Sequence, residues 1–191
     1  MTTLIEHMIF YRSYHFNSTN VKIHLVCIPI ILLSAITFLT PVGLPFISTS
    51  PSVNVGIVSA WLYGLYYISL DWKVGIPAAS IVIGYGHFIG NYYRSLSATT
   101  SPTSSQFIHY AIAAHAFAWI AQFYGHGVHE KRAPALLDNL LQALVLAPFF
   151  VAFEVAFFLG FRRDLAKKMD NEAGKRVREF RLQEKAKKAH S

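Results

Sequence analysis

Charge is scarce in this chain. Asp, Glu, Lys and Arg make up 14% of its 191 residues, where a soluble domain carries about 25%. The shortage is regional. No charged side chain occurs between Lys22 and Asp71, none from Ser95 to His129, and Glu154 stands alone from Asn139 to Phe161. A surface helix of a soluble fold needs a polar face, and these stretches cannot supply one, which excludes an ordinary soluble domain. Cysteine is almost missing: Cys27 is the single example, so no internal disulfide can form. The opening residues, MTTLIEHMIFYRSYHF, lack the basic-then-apolar order of a cleaved signal. There is no GxSxG elbow, no GxGxxG and no glycine-rich phosphate loop, and Cys27 has no neighbouring base. Nucleophilic hydrolysis and dinucleotide chemistry therefore have no motif to rest on.

What is present is hydrophobic sequence, 53% of the chain, in runs long enough for lipid. A helix crossing hydrocarbon needs about 20 apolar residues. Five stretches approach this: Ile23–Leu39, Val53–Leu70, Val74–Tyr92, Phe107–Tyr124 and Leu140–Leu159. The expectation is an all-α integral membrane bundle of four to five hydrophobic helices, with residues 1–160 as the embedded body. Before the first run, Leu4–Phe16 reads as an amphipathic interfacial helix, its Phe10, Tyr11, Tyr14 and Phe16 suited to a membrane–water boundary. After the last, residues 161–191 form a basic helical tail holding eleven of the 17 Lys and Arg beside five acids. That tail dominates the net charge of +7. Next to apolar helices it reads as a partner for membrane lipid on the cytosolic side, not for nucleic acid.

Four crossings return a chain to the side on which it started. His15 and His24, at the start of the first run, would then share a membrane face with His126 and His129, at the end of the fourth. The fifth run is interrupted by Pro148 and Glu154. A full crossing there would place the tail opposite Lys131 and Arg132, against the usual location of basic residues. The run is expected to dip and return, or to lie along the bundle.

Nine histidines are many for this length, and an ionisable group in an apolar segment is a functional candidate. One cluster is Tyr14-His15-Phe16-Asn17 with Asn20 and His24. The other is Gly125-His126-Gly127-Val128-His129-Glu130-Lys131-Arg132. On an α-helix His126 shares a face with His129 and with Glu130. Two or three imidazoles with a carboxylate suit Fe(II), Zn(II) or Mn(II). His115 and His87 read as buried polar groups bonded to neighbouring helices.

At these clusters the sequence resembles the fungal 2-hydroxy-fatty-acid dioxygenases. The resemblance is carried by Phe10-Tyr11-Arg12, Tyr14-His15, Asn17, Asn20-Val21, Ile23-His24 and Pro29. It continues in Trp119-Ile120, Gln122-Phe123, Gly125-His126-Gly127, Glu130-Lys131-Arg132, Pro134-Ala135-Leu136, Asp138-Asn139-Leu140, Gln142 and Leu144-Val145-Leu146-Ala147-Pro148. It implies a multi-pass enzyme of the endoplasmic-reticulum membrane that acts in phytosphingosine breakdown. Such an enzyme uses O2 and Fe(II) to shorten a 2-hydroxy fatty acid by one carbon. His15, His24 and His126 match the family's motif, and His129 is the fourth candidate metal ligand. Glu130 and Lys131 are the candidate catalytic side chains. Lys131 or Arg132 would steady a carboxylate, or both would be topology charges. Asp138, Asn139 and Gln142 would orient ligand imidazoles, or Asp138 or Asn139 would cap the fifth helix. Glu154 reads either as a ligand or as an interhelical hydrogen-bond partner. The competing reading of the whole chain is a non-enzymatic lipid-binding or scaffold membrane protein. A transporter is less favoured, because no internal repeat is found.

Overall fold

The computed structural model describes residues 4–44, 46, 52–98, 103–134 and 142–189. Among these the protein is all helical. It comprises α1 (Leu4–Tyr14), α2 (Ser18–Leu39), α3 (Val55–Leu70), α4 (Trp72–Ser97), α5 (Thr103–Tyr124), α6 (Ala147–Phe158) and α7 (Arg163–Ala189). Two π-helical turns, Gly125–Glu130 and Gln142–Leu146, follow α5 and precede α6. Packing divides the chain into two compact units, one of Met1–Leu25 with Gln122–Ser191 and one of Val26–Ala121.

The Val26–Ala121 unit is built on a hairpin of α3 and α4. Asp71 makes the reversal: its backbone N–H closes the end of α3 on Tyr67, and its carboxylate accepts from the Lys73 and Val74 N–H groups to start α4. Asn54 caps α3 in the same way through the Ile57 N–H. The helices come close because small residues face each other; a Cβ on Gly86 would lie 2.8 Å from that of Ala60. Leu32, Ile36, Ala60, Val82 and Ile89 form the core, with Tyr63, Tyr85 and Phe107 packed on it.

Outside that core the unit is apolar as well. Leu62, Leu65, Ile81, Phe88, Phe117 and Ile120 are all more than half exposed. Of the described helices, α2 alone is long and apolar enough to cross a membrane by length and composition. The 12 residues of α6 rise only about 18 Å, against roughly 30 Å of hydrocarbon. Pro148 stands in its first turn, where a missing N–H costs nothing.

In the other unit, α1 lies against α6 and α7. Its apolar residues turn inward: Met8, Ile9, Tyr11 and Tyr14 are buried. Tyr11 and Tyr14 are thus core residues of this unit, since α6 and α7 cover the face that the sequence assigns to a membrane boundary. The α7 residues Met169, Ala173 and Val177 are buried, and Arg12 Nε donates to Asp170 at 2.7 Å.

Candidate metal centre

The site forms where two remote segments of one unit meet. After α1 the chain leaves helical geometry for His15, Phe16 and Asn17, then starts α2 at Ser18. Asn17 caps that start, its Oδ1 accepting the Thr19 and Asn20 N–H groups. The turn is held from outside by one carboxylate. Glu130 Oε2 accepts from the N–H of Phe16 at 3.1 Å, the N–H of Asn17 at 2.9 Å and Asn20 Nδ2 at 3.2 Å. A carboxylate at the first residues of a helix also answers the positive end of its dipole.

The clamp brings His15 and His24 to His126. Their potential ligand atoms all lie within 4.8 Å of one another, and all three residues are buried. Ring centres are 4.3 Å apart for His15–His24, 4.9 Å for His15–His126 and 4.8 Å for His24–His126. Two nitrogens sharing an ion at about 2.1 Å each sit roughly 3–3.5 Å apart, so small side-chain rotations close the set.

Hydrogen bonding prepares two of the rings. His15 Nδ1 lies 2.8 Å from the Tyr11 carbonyl, and His24 Nδ1 lies 2.9 Å from the Asn20 carbonyl. A carbonyl only accepts, so each Nδ1 carries the proton and each Nε2 keeps a lone pair. A carbonyl behind the far nitrogen is the usual support of a metal-bound imidazole. Tyr11 also stacks on the His15 ring at 4.1 Å. The third ring differs: His126 Nδ1 is buried and has no hydrogen-bond partner among the described residues. Burial, reinforced by the neighbouring imidazoles, holds His15 well below the ordinary histidine range. Burial likewise pushes His126 down to about 4, helped by His24 and Arg132. The rings are therefore neutral near pH 7, the form that binds a cation. Three buried neutral imidazoles, one with an unsatisfied nitrogen, fit a divalent transition metal.

The π-helical turn decides which side chains join. Its i→i+5 bonding widens the turn to roughly 4.4 residues, so a residue four along stays near the starting face and one three along does not. Glu130 accordingly reaches the His15–Asn20 segment. His129, expected as a fourth ligand, is turned aside and meets the Tyr124 ring at 5.5 Å. Lys131 is exposed and ends the turn in the left-handed region, at φ 55°. Its exposure contrasts with the burial of the three histidines. Arg132 lies over the Tyr14 ring at 3.5 Å and the Phe180 ring at 4.3 Å, and donates to the Ser13 carbonyl. It braces the same turn by cation–π contact.

Gly125, at the start of the turn, has no room for a side chain: a Cβ there would overlap Asn20 Oδ1 and approach Ile23 at 3.3 Å. Gly125→Ala should therefore push the Asn20 side chain off Glu130. The expected loss of stability is about 1–3 kcal/mol, read as a lower melting temperature, and an unchanged melt would count against this packing.

Glu154 is 3.8 Å from Arg12, which accords with an interhelical partner. Asp138, Asn139 and the side chain of Gln142 lie outside the described residues. His115 Nδ1 meets Ser34 Oγ at 3.0 Å, its Nε2 accepts from Trp119, and His87 accepts from Trp61. Both are bonded to neighbouring helices as expected, but neither is buried: His115 is half-buried and His87 is exposed. Sequence reasoning gave Tyr11 to a membrane boundary and Arg132 to topology or a carboxylate, and named Asn20 without a role; their support of the histidine turn depends on contacts that no local pattern announces.

Comparisons with known proteins identify the family. No solved structure matches the chain. The 2-hydroxy-palmitic acid dioxygenase MPO1 of Saccharomyces cerevisiae is 33% identical over 174 residues, 91% of each chain. The family model described as 2-hydroxy-palmitic acid dioxygenase Mpo1-like matches residues 1–159, which span all three histidines and Glu130. The chain belongs to the Mpo1-like family.

Proposed function

We propose that this protein is an Fe(II)-dependent dioxygenase. It converts a 2-hydroxy fatty acid and O2 into the fatty acid one carbon shorter, CO2 and water. The observation that supports this best is the convergence of His15, His24 and His126, two of them with Nδ1 committed to a carbonyl. The reaction closes without a further reductant: R–CHOH–COOH loses four electrons on becoming R–COOH and CO2, and O2 takes up four on becoming water. When bound, ferrous iron supplies the open positions and redox chemistry by which O2 reacts with a chelating 2-hydroxy carboxylate.

The chain's own residues do the rest. His15, His24 and His126 hold the ion, and their burial keeps bulk water away. Glu130 and Asn20 fix the His15 turn against His126. Lys131, although exposed, is retained as a cation for a carboxylate reaching the membrane face. Residues 1–160 carry the chemistry, and residues 161–191 form a basic cytosolic segment. The location we infer is the endoplasmic-reticulum membrane, multi-pass. The apolar residues exposed on α3, α4 and α5 support lipid contact, since soluble proteins do not leave such surface in water.

Detergent-purified protein loaded with Fe(II) should convert 2-hydroxypalmitate to pentadecanoate, one CO2 released per substrate and one O2 consumed. Iron-loaded protein that leaves 2-hydroxypalmitate intact would exclude this reading.

A further inference from the structure

A second site lies along α7. Phe16, Gly174, Val177, Arg178, Arg181, Leu182 and Lys185 line a groove of about 270 Å³ in the same unit as the histidines. Arg178, Arg181 and Lys185 stand at i, i+3 and i+7, on one stripe of the helix. No acidic side chain lines the groove, and none of the three cations is paired among the described residues. Other α7 cations do have partners: Lys175 with Glu172 and Lys187 with Glu184. The floor is apolar. Leu182 is 58% exposed on an otherwise strongly charged helix, and Phe16 is 37% exposed, its ring against Gly174.

These features belong together. A merely solvated charged face needs no apolar floor, and an apolar groove needs no unpaired cations. We infer that the groove binds one anionic phospholipid, its phosphate on Arg178, Arg181 and Lys185 and its first methylenes on Leu182, Val177 and Phe16. Charge complementarity argues for the phosphate. The small volume argues for a headgroup with the start of a chain, not a peptide helix. This site is independent of the iron chemistry, so either proposal stands if the other falls.

The test uses the full chain in uncharged detergent, with short-chain lipids as soluble probes. Dihexanoyl phosphatidic acid should bind at least about tenfold more tightly than dihexanoyl phosphatidylcholine or inorganic phosphate. The triple variant R178Q/R181Q/K185Q should lose about fivefold per charge, roughly a hundredfold in all. Leu182→Ser should weaken the phosphatidic acid by about tenfold and leave phosphate unchanged. Equal binding of the choline lipid would overturn the electrostatic half, and phosphate as tight as the lipid would overturn the apolar half. A 2-hydroxyhexanoate probe that binds as tightly as the phosphatidic acid would make the groove a substrate surface and overturn the lipid assignment.

Discussion

His15→Ala, His24→Ala and His126→Ala should each strip iron from the purified protein, lowering affinity by roughly a hundredfold or more. Removing a residue that only supports a ligand already costs 10–100-fold, and losing one of three ligands costs more. The variants are expected to stay folded, because each truncates one ring at a small cluster and leaves the Glu130 clamp in place. His129→Ala and His115→Ala are the controls. His129 meets Tyr124 and His115 is bonded to Ser34, Ile31 and Trp119, so both variants should keep full iron. Metal content by mass spectrometry and affinity by titration give the readout. Wild-type iron in all three triad variants would remove the proposed centre, and iron lost only with His129 would move it.

Glu130→Ala should nearly match the histidine variants in iron affinity while acting by another route. Glu130 is a positioning residue: its Oε2 holds Phe16, Asn17 and Asn20, and so the turn that carries His15. A hydrogen bond to a charged group contributes about 1.5–3 kcal/mol. The three share one oxygen on a half-buried side chain, so the total loss expected is about 2–4 kcal/mol, discounted for screening. Iron affinity should fall 10–100-fold. Glu130→Gln separates clamp from ligand, because its amide oxygen still accepts from backbone N–H groups; it should recover most of the melting temperature and most of the iron. Ala and Gln that both melt like wild type yet lose all iron would make Glu130 a ligand, against the present assignment.

That His15, His24 and His126 come together was legible because two independent signals pointed to them. Four crossings, as expected from the apolar runs, would return the Tyr14–His24 and Gly125–Arg132 segments to one face, and a family signature fell on the same residues. His129 was misread because an i, i+3 spacing implies a shared face only on an α-helix. The wider turn at Gly125–Glu130 goes with a tertiary bond from Glu130 and a left-handed Lys131, and neither has a local pattern. Arg132 was assigned to topology or substrate because its ring partners, Tyr14 and Phe180, are remote in sequence. In the fifth apolar run Pro148 falls in the first turn of α6 and Glu154 lies within that helix. How α6 then lies against α1 depends on side-chain packing that a hydrophobicity pattern does not encode. The tail showed its charge and hid its apolar stripe, since Met169, Ala173 and Val177 are thinly spread among basic residues.

The junction between His24 and His126 also governs when the centre can exist. These residues are 102 positions apart, and closing a loop of that size costs about 4 kcal/mol of chain entropy. On the proposed reading, a ribosome must deliver everything through Glu130 before iron finds three ligands, so loading is a late step of biogenesis. The ion would then act as a cross-link between the beginning of the chain and a segment about a hundred residues later. Its binding energy adds directly to the stability of the unit it closes, in a protein whose single cysteine offers no covalent substitute.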